Sequence, residues 1–265
     1  MGPVPEPCER DTQRSQPSRR GGPRSLVDRP RRPRRIPIPV VAGAVAPVAL
    51  IVLGALVATT HDGGTPTSLP TETDVPSTGP GTFVTALASG EKVGEGPLPL
   101  RYVVKVETGL DISPAQAAKE IAGILAAPRG WTNDPLHGFQ LVSAGQPHDL
   151  TVTIATPGTA DALCWAGIHQ NTEGEYNCEV SGGVVVNVKR WVKGSPTFDG
   201  PIHDYRALII NHEIGHFLGY THTTCAGPGQ LAPVMMQQIK GLHGCIANAW
   251  PYDKNRHFVT GPHVQ

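Results

Sequence analysis

Little of this sequence is aromatic or charged: Phe, Tyr and Trp make up 5% and Asp, Glu, Lys and Arg 17% of its 265 residues. No internal repeat is present, so the chain does not read as a stacked array. Its five cysteines fit none of the common zinc-finger spacings, which argues against a cysteine-held structural metal. The formal net charge is zero, but unevenly spread. Residues 1–35 hold ten Arg against four acidic residues, about +6, and the remainder balances them. That head is poor in apolar residues and broken by prolines, so it is expected to be disordered. A nucleic-acid-binding arm is the other reading of such a run, and the next segment argues against it.

Residues 36–58, "IPIPVVAGAVAPVALIVLGALVA", lack charge entirely. As a helix they would run about 34 Å, enough for a hydrocarbon core of about 30 Å. Pro37 and Pro39 fall in the first turn, where proline is tolerated, and Pro47 predicts a kink. Arginines crowd the N-terminal flank only, so the positive-inside rule places residues 1–35 in the cytoplasm and the rest outside the cell membrane. A cleaved signal peptide and a twin-arginine export signal, prompted by Arg34 and Arg35, are the rivals. The span exceeds the usual signal-peptide apolar region and no small-residue cleavage site follows, which favours an uncleaved single-pass signal-anchor. Residues 59–80, rich in Thr, Pro and Gly, read as a linker holding a domain, residues 81–265, away from the bilayer. Cys8 lies on the inner side, whereas Cys164, Cys178, Cys225 and Cys245 lie in an oxidising compartment. Four cysteines allow three connectivities. The sequence-local one, Cys164–Cys178 with Cys225–Cys245, is expected.

The outer domain reads as α/β. "TFVTAL" suggests a peripheral strand, and "LRYVVKVET" (100–108), "FQLV" (139–142), "DLTVTIAT" (149–156) and "GVVVNVKRW" (183–191) suggest four more. Ser113, Pro114 and Gln116 start a helix that runs to about Ala127. The stretch from Cys164 to Cys178 reads as a loop leading into an edge strand near Tyr176. "HDYRALIINHEIGHFLG" gives a last helix whose Ala207, Ile210, Ile214, Phe217 and Leu218 recur at helical spacing as a core-facing stripe.

On that helix begins "HEIGHFLGYTH", residues 212–222. His212 and His216 are one turn apart, so both imidazoles reach one ion about 2.0–2.1 Å from each nitrogen. Glu213 lies about 100° further round the helix, outside the ligand set but within reach of a water on the ion's open side. Gly219 tolerates left-handed angles, so the helix can end there and the chain can return His222 to the metal. Three neutral imidazoles and one open position are the donor set of a catalytic zinc, Zn(2+). A lone HExxH occurs by accident on solvated helices; the extended HExxHxxGxxH is far stricter. His137, His148, His169, His203, His243, His257 and His263 have no ligand spacing and read as surface or hydrogen-bonded residues.

The motif resembles the zinc signature of the metzincin metallopeptidases, a clan with a methionine-containing turn beneath the metal. A matching turn follows at "LAPVMMQQ" (231–238), with Met235 as the floor residue and Met236 as its competitor. Many metzincins carry a tyrosine just after this methionine; Gln237 and Gln238 stand here instead. The run from Asn211 to Pro251 is similar to an actinobacterial family of membrane-anchored, metzincin-like proteins, over roughly residues 81–252. The resemblance implies a twisted mixed sheet with an antiparallel, substrate-binding edge strand, an active-site helix and a small C-terminal subdomain. It implies a membrane-anchored extracytoplasmic zinc endopeptidase with His212, His216 and His222 as ligands and Glu213 as base, acting on a peptide or protein substrate outside the cell membrane. Two alternatives stay open: a non-catalytic, zinc-stabilised cell-envelope binding module, and hydrolysis of a non-protein envelope amide. No inhibitory cysteine switch is visible, since Cys8 lies across the membrane from the zinc.

Overall fold

The computed structural model describes residues 75–264. The Arg-rich segment 1–35, the apolar span 36–58 and linker residues 59–74 lie outside the described residues. Among the described residues no helix is long and apolar enough to cross a membrane. In chain order the elements are β1 (Phe83–Thr85), β2 (Val93–Gly94), β3 (Leu100–Glu107), α1 (Pro114–Leu125), β4 (Gly138–Leu141), β5 (Leu150–Ala155), α2 (Pro157–Ile168), β6 (Cys178–Val180), β7 (Gly183–Asn187), α3 (Val188–Lys193) and α4 (Ile202–Phe217).

The strands form one mixed sheet in the order β2-β4-β3-β5-β7-β6, with β1 paired to β3 off that path. β4, β3, β5 and β7 run parallel, which requires crossover connections and coverage of both faces. Their Val- and Ile-rich sequences fit that double burial, and every residue of β7 is buried. β1, β2 and β6 are antiparallel additions, so β6 ends the sheet. On one face Val104, Val106, Val152, Ile154, Val184 and Val186 pack with Ile121 and Leu125 of α1 and Ile210 and Ile214 of α4. On the other, Ala155 and Val185 meet Ala160 and Cys164 of α2.

Two segments differ from the expectation from sequence. The loop expected from Cys164 begins later, because residues 157–168 are helical: the Thr156 hydroxyl accepts from the Thr159 backbone N–H, and Pro157 takes a first-turn position that needs no N–H. The expected strand 183–191 stops at Asn187, whose side chain accepts from the Lys189 N–H at 2.9 Å and caps α3. The folded part also begins before residue 81. The Ser77 carbonyl accepts from Gly158 N at 2.8 Å, and the buried Glu107 carboxylate accepts from Gly81 N (2.8 Å), Thr156 N (2.7 Å) and Thr159 Oγ1 (2.7 Å). Two disulfides are present, Cys164–Cys178 tying α2 to β6 and Cys225–Cys245 within the C-terminal part.

After α4 the described residues form a 3-10 turn, Gln238–Lys240, and three isolated β-bridges, and are otherwise irregular. Buried amides organise it. Asn248 Nδ2 donates to Ala232 O (3.0 Å) and Trp250 O (2.8 Å), while Gln238 Nε2 donates to Asn248 O (2.7 Å). Such a segment satisfies its backbone through side chains because it has no ladder of its own.

Candidate metal centre

Burial on nearly all sides positions α4. Ala207, Ile210 and Ile214 face the core as expected, and Phe217 and Leu218 are half-buried. Leu208 and Ile209 are buried as well, with 4% of their surface exposed, so the helix runs through the molecule rather than over it. Gly215 lets a neighbour approach closely: a Cβ there would lie 2.3 Å from Met235 Sδ and 2.8 Å from Trp131 Cζ2. Trp131 in turn donates its Nε1–H to Asn211 O at 2.9 Å.

The helix ends in a Schellman arrangement, with Tyr220 N donating to Gly215 O (2.9 Å) and Gly219 N to His216 O (2.8 Å). Gly219 has φ +92°, the left-handed region that glycine enters without a Cβ clash. The reversal stacks Tyr220 on Trp131, ring centroids 4.6 Å apart, and carries His222 back over the helix. The C-terminal tail clasps this loop: Val264 N donates to His222 O (3.1 Å) and Thr224 N to Pro262 O (2.8 Å).

The three imidazoles converge through Nε2. The separations are 3.2 Å for His212–His216, 3.0 Å for His216–His222 and 3.3 Å for His212–His222. A tetrahedral ion 2.0–2.1 Å from each nitrogen needs its ligand atoms about 3.3–3.4 Å apart. Hydrogen bonding fixes two tautomers. His212 Nδ1 lies 2.7 Å from Val234 O and His216 Nδ1 2.9 Å from Tyr220 O, and a carbonyl only accepts. Both Nδ1 atoms therefore carry the proton, and both Nε2 atoms present lone pairs to each other at 3.2 Å. Facing lone pairs repel unless a cation lies between them, so the donor set fits a metal ion. The three histidines are the one such cluster among the described residues.

Of the two adjacent methionines, Met235 lies beneath α4 against Gly215, and its carbonyl accepts from Thr223 N at 3.1 Å. Met236 lines the cavity in front of the histidines instead. That cavity, about 230 Å³, is bounded by His212, Glu213, His216 and His222, by β6, and by Gln237 and Gln238. Tyr176 and Tyr205 also line it.

Electrostatics favour neutral rings. Burial, and then the neighbouring His216, hold the His212 pKa down at about 3. Burial followed by His216 and Lys240 lowers that of His222 to about 4, and burial lowers His216. Glu213 is 4% exposed and lines the cavity, with no hydrogen bond to its carboxylate among the described residues. Burial, then the charge of Glu179, pushes its pKa up to about 8 in the metal-free protein.

The structure thus brings His212, Glu213, His216, Gly219, His222 and Met235 into one place, and puts Cys225–Cys245 beside the loop that follows His222. The sequence reading missed Gly215, Trp131, Glu179, the two carbonyl acceptors and the C-terminal clasp. For Gly215 a signal existed: glycine in a helix interior costs about 1 kcal/mol and implies a packing reason. No curated protein and no solved structure matches the chain. Residues 69–255, which contain the three-histidine cluster and Glu213, match the family described as Protein of unknown function (DUF3152), and the chain belongs to that family.

Proposed function

We propose that this protein is a zinc-dependent endopeptidase, anchored by residues 36–58 with its catalytic domain outside the cell. The observation that carries the reading is the pairing of three convergent Nε2 atoms, two with fixed tautomers, with a buried carboxyl that opens onto the same cavity. His212, His216 and His222 would hold the zinc. When bound, zinc supplies a Lewis acid that makes water more acidic and a carbonyl more electrophilic. The chain's own part is then proton traffic and positioning. Glu213 takes a proton from the attacking water and returns it to the leaving amine as the peptide C–N bond breaks. A cation nearby lowers the carboxyl pKa from its raised metal-free value, so the group can act as a base near neutral pH. Val234 O and Tyr220 O hold the rings in the ligating tautomer.

An extended peptide would pair with the free edge of β6, which gives affinity through backbone bonds with little sequence demand. The full chain, purified without chelator, should carry about one zinc, a count set by the one three-histidine cluster among the described residues, and should cleave members of a broad peptide library. Elemental analysis showing no metal, with none taken up on addition, would sink the reading. Zinc without any cleavage would instead favour the binding module.

A further inference from the structure

Glu179 is half-buried in the three-residue edge strand β6, and the pleat decides where its carboxylate points. Cys178 and Val180, on either side, pack in the cluster under α2, as does Val185, the partner of Cys178. Glu179 pairs with Val184, which belongs to the main core on the α4 side. Successive side chains alternate across a strand, so Glu179 faces α4 and lines the cavity with His212, Glu213 and His216. Its charge reaches both Glu213 and His216.

No side chain among the described residues pairs with it. Glu179 and Glu213 are the two acidic residues lining the cavity, and no Lys or Arg lines it. Among the described residues no hydrogen bond or ion pair engages the Glu179 carboxylate. Lys240 sits beside two residues that line the cavity, 5.2 Å over the Tyr176 ring and 3.1 Å from Gln237 Oε1, but makes no ion pair with Glu179. Water satisfies such a carboxylate while the cavity is open. A bound substrate displaces that water, and a neutral group would then leave a desolvated, unpaired charge beside a second carboxyl. An ammonium or guanidinium group would pair it.

We propose that Glu179 is a specificity-determining residue, selecting substrates that carry a cationic amine close to the bond that is cut. The inference rests on the peptidase reading and deepens it. The cation could be a basic side chain or a free α-amine, and three zinc-binding probes separate these: N-acetyl-lysine hydroxamate, norleucine hydroxamate with a free amine, and N-acetyl-norleucine hydroxamate. Their dissociation constants are measured by calorimetry on the zinc-loaded full chain, on Glu179→Gln and on Glu179→Lys, with zinc content and circular dichroism checked for each. At least one cationic probe should bind the unaltered protein about tenfold more tightly than the neutral one, the size of one charged hydrogen bond. Glu179→Gln should abolish the difference and Glu179→Lys should reverse it. Equal binding of all three probes overturns the inference while leaving the zinc site standing, as does a preference that survives in Glu179→Gln. Failure of every probe to bind the zinc-loaded protein overturns this inference and the peptidase reading together.

Discussion

His212 and His216 stand on a helix buried on nearly all sides, each with its Nδ1 proton given to a carbonyl. His222 stands on an irregular loop, and among the described residues its Nδ1 has no hydrogen-bond partner. The loop is placed by the Schellman turn at Gly219, the Trp131–Tyr220 stack, the Cys225–Cys245 bridge and the tail contacts of Pro262 and Val264. The helical half of the site is thus set by local spacing and core packing, the loop half by long-range clasps. Both halves need long-range help at one point, since Val234 O, which fixes His212, comes from the methionine turn.

Removing a ligand should break the comparison most severely. His212→Ala should abolish zinc binding and also lower stability, because it leaves the buried Val234 O without its donor. His222→Ala should cost on the order of a hundredfold or more in affinity, since each ligand carries several kcal/mol of binding, yet leave the metal-free fold intact. Competition with a chelating dye and thermal melts read the two effects separately. Equal destabilisation by both variants would erase the distinction between the halves.

Gly215→Ala comes next. Its methyl would collide with Met235 and the fully buried Trp131, and overpacking of this kind costs about 1–3 kcal/mol. Urea unfolding of the metal-free variant should show a lower midpoint; an unchanged midpoint would mean the contact under the helix is slack. A smaller effect, on the loop alone, is expected from ending the chain at Gly261. Loss of the contacts from Pro262 and Val264 should weaken zinc binding about tenfold, the range of a lost supporting contact, without moving the urea midpoint.

The smallest expected change is in pH response. Burial holds His212 at about 3 and His222 at about 4, against an ordinary value of 6.5. Neutral rings bind metal, so protons should begin to compete for them only near the lowered values, and in Glu213→Gln, which removes the carboxyl whose proton zinc would expel, zinc affinity should change little between pH 7.5 and 5.5. A steep loss starting at pH 6.5 would show rings that titrate as in water. In the metal-free protein Glu213 acts in the opposite sense. Its pKa rises from 4.5 to about 8 on folding, so between these values the folded state holds a proton that the unfolded chain releases. Stability contributed by this group is full below pH 4.5 and falls as pH rises towards 8. Glu213→Gln should remove that decline.

The division between the halves also explains what the sequence made legible. The i, i+4 histidines, the glycine three residues beyond His216 and the Val-rich central strands obey local rules, and so does the pairing of nearby cysteines. α2 escaped notice because only Ala160 and Cys164 of its twelve residues are fully buried while Trp165 is exposed, which leaves no broad apolar stripe. The strand reading of 183–191 ran too far because a Val run continues past Asn187, where a side-chain cap rather than a change in hydrophobicity ends the strand. Glu179 was invisible for another reason. A lone glutamate in a strand reads as a solvent-facing residue, and only the β6–β7 register with α4 behind it turns that position into the wall of the cavity.

Glu213→Gln is the sharpest test of the proposal that Glu213 acts as the base of a zinc peptidase. The substitution keeps the size of the side chain and touches no ligand, but an amide cannot take a proton from water near neutral pH. Cleavage of a peptide found with the unaltered protein and zinc content are measured side by side on both proteins. Zinc occupancy should be equal and the rate should fall by at least about 10²–10⁴, the usual worth of a general base. A variant that cleaves as fast as the unaltered protein would contradict the proposal.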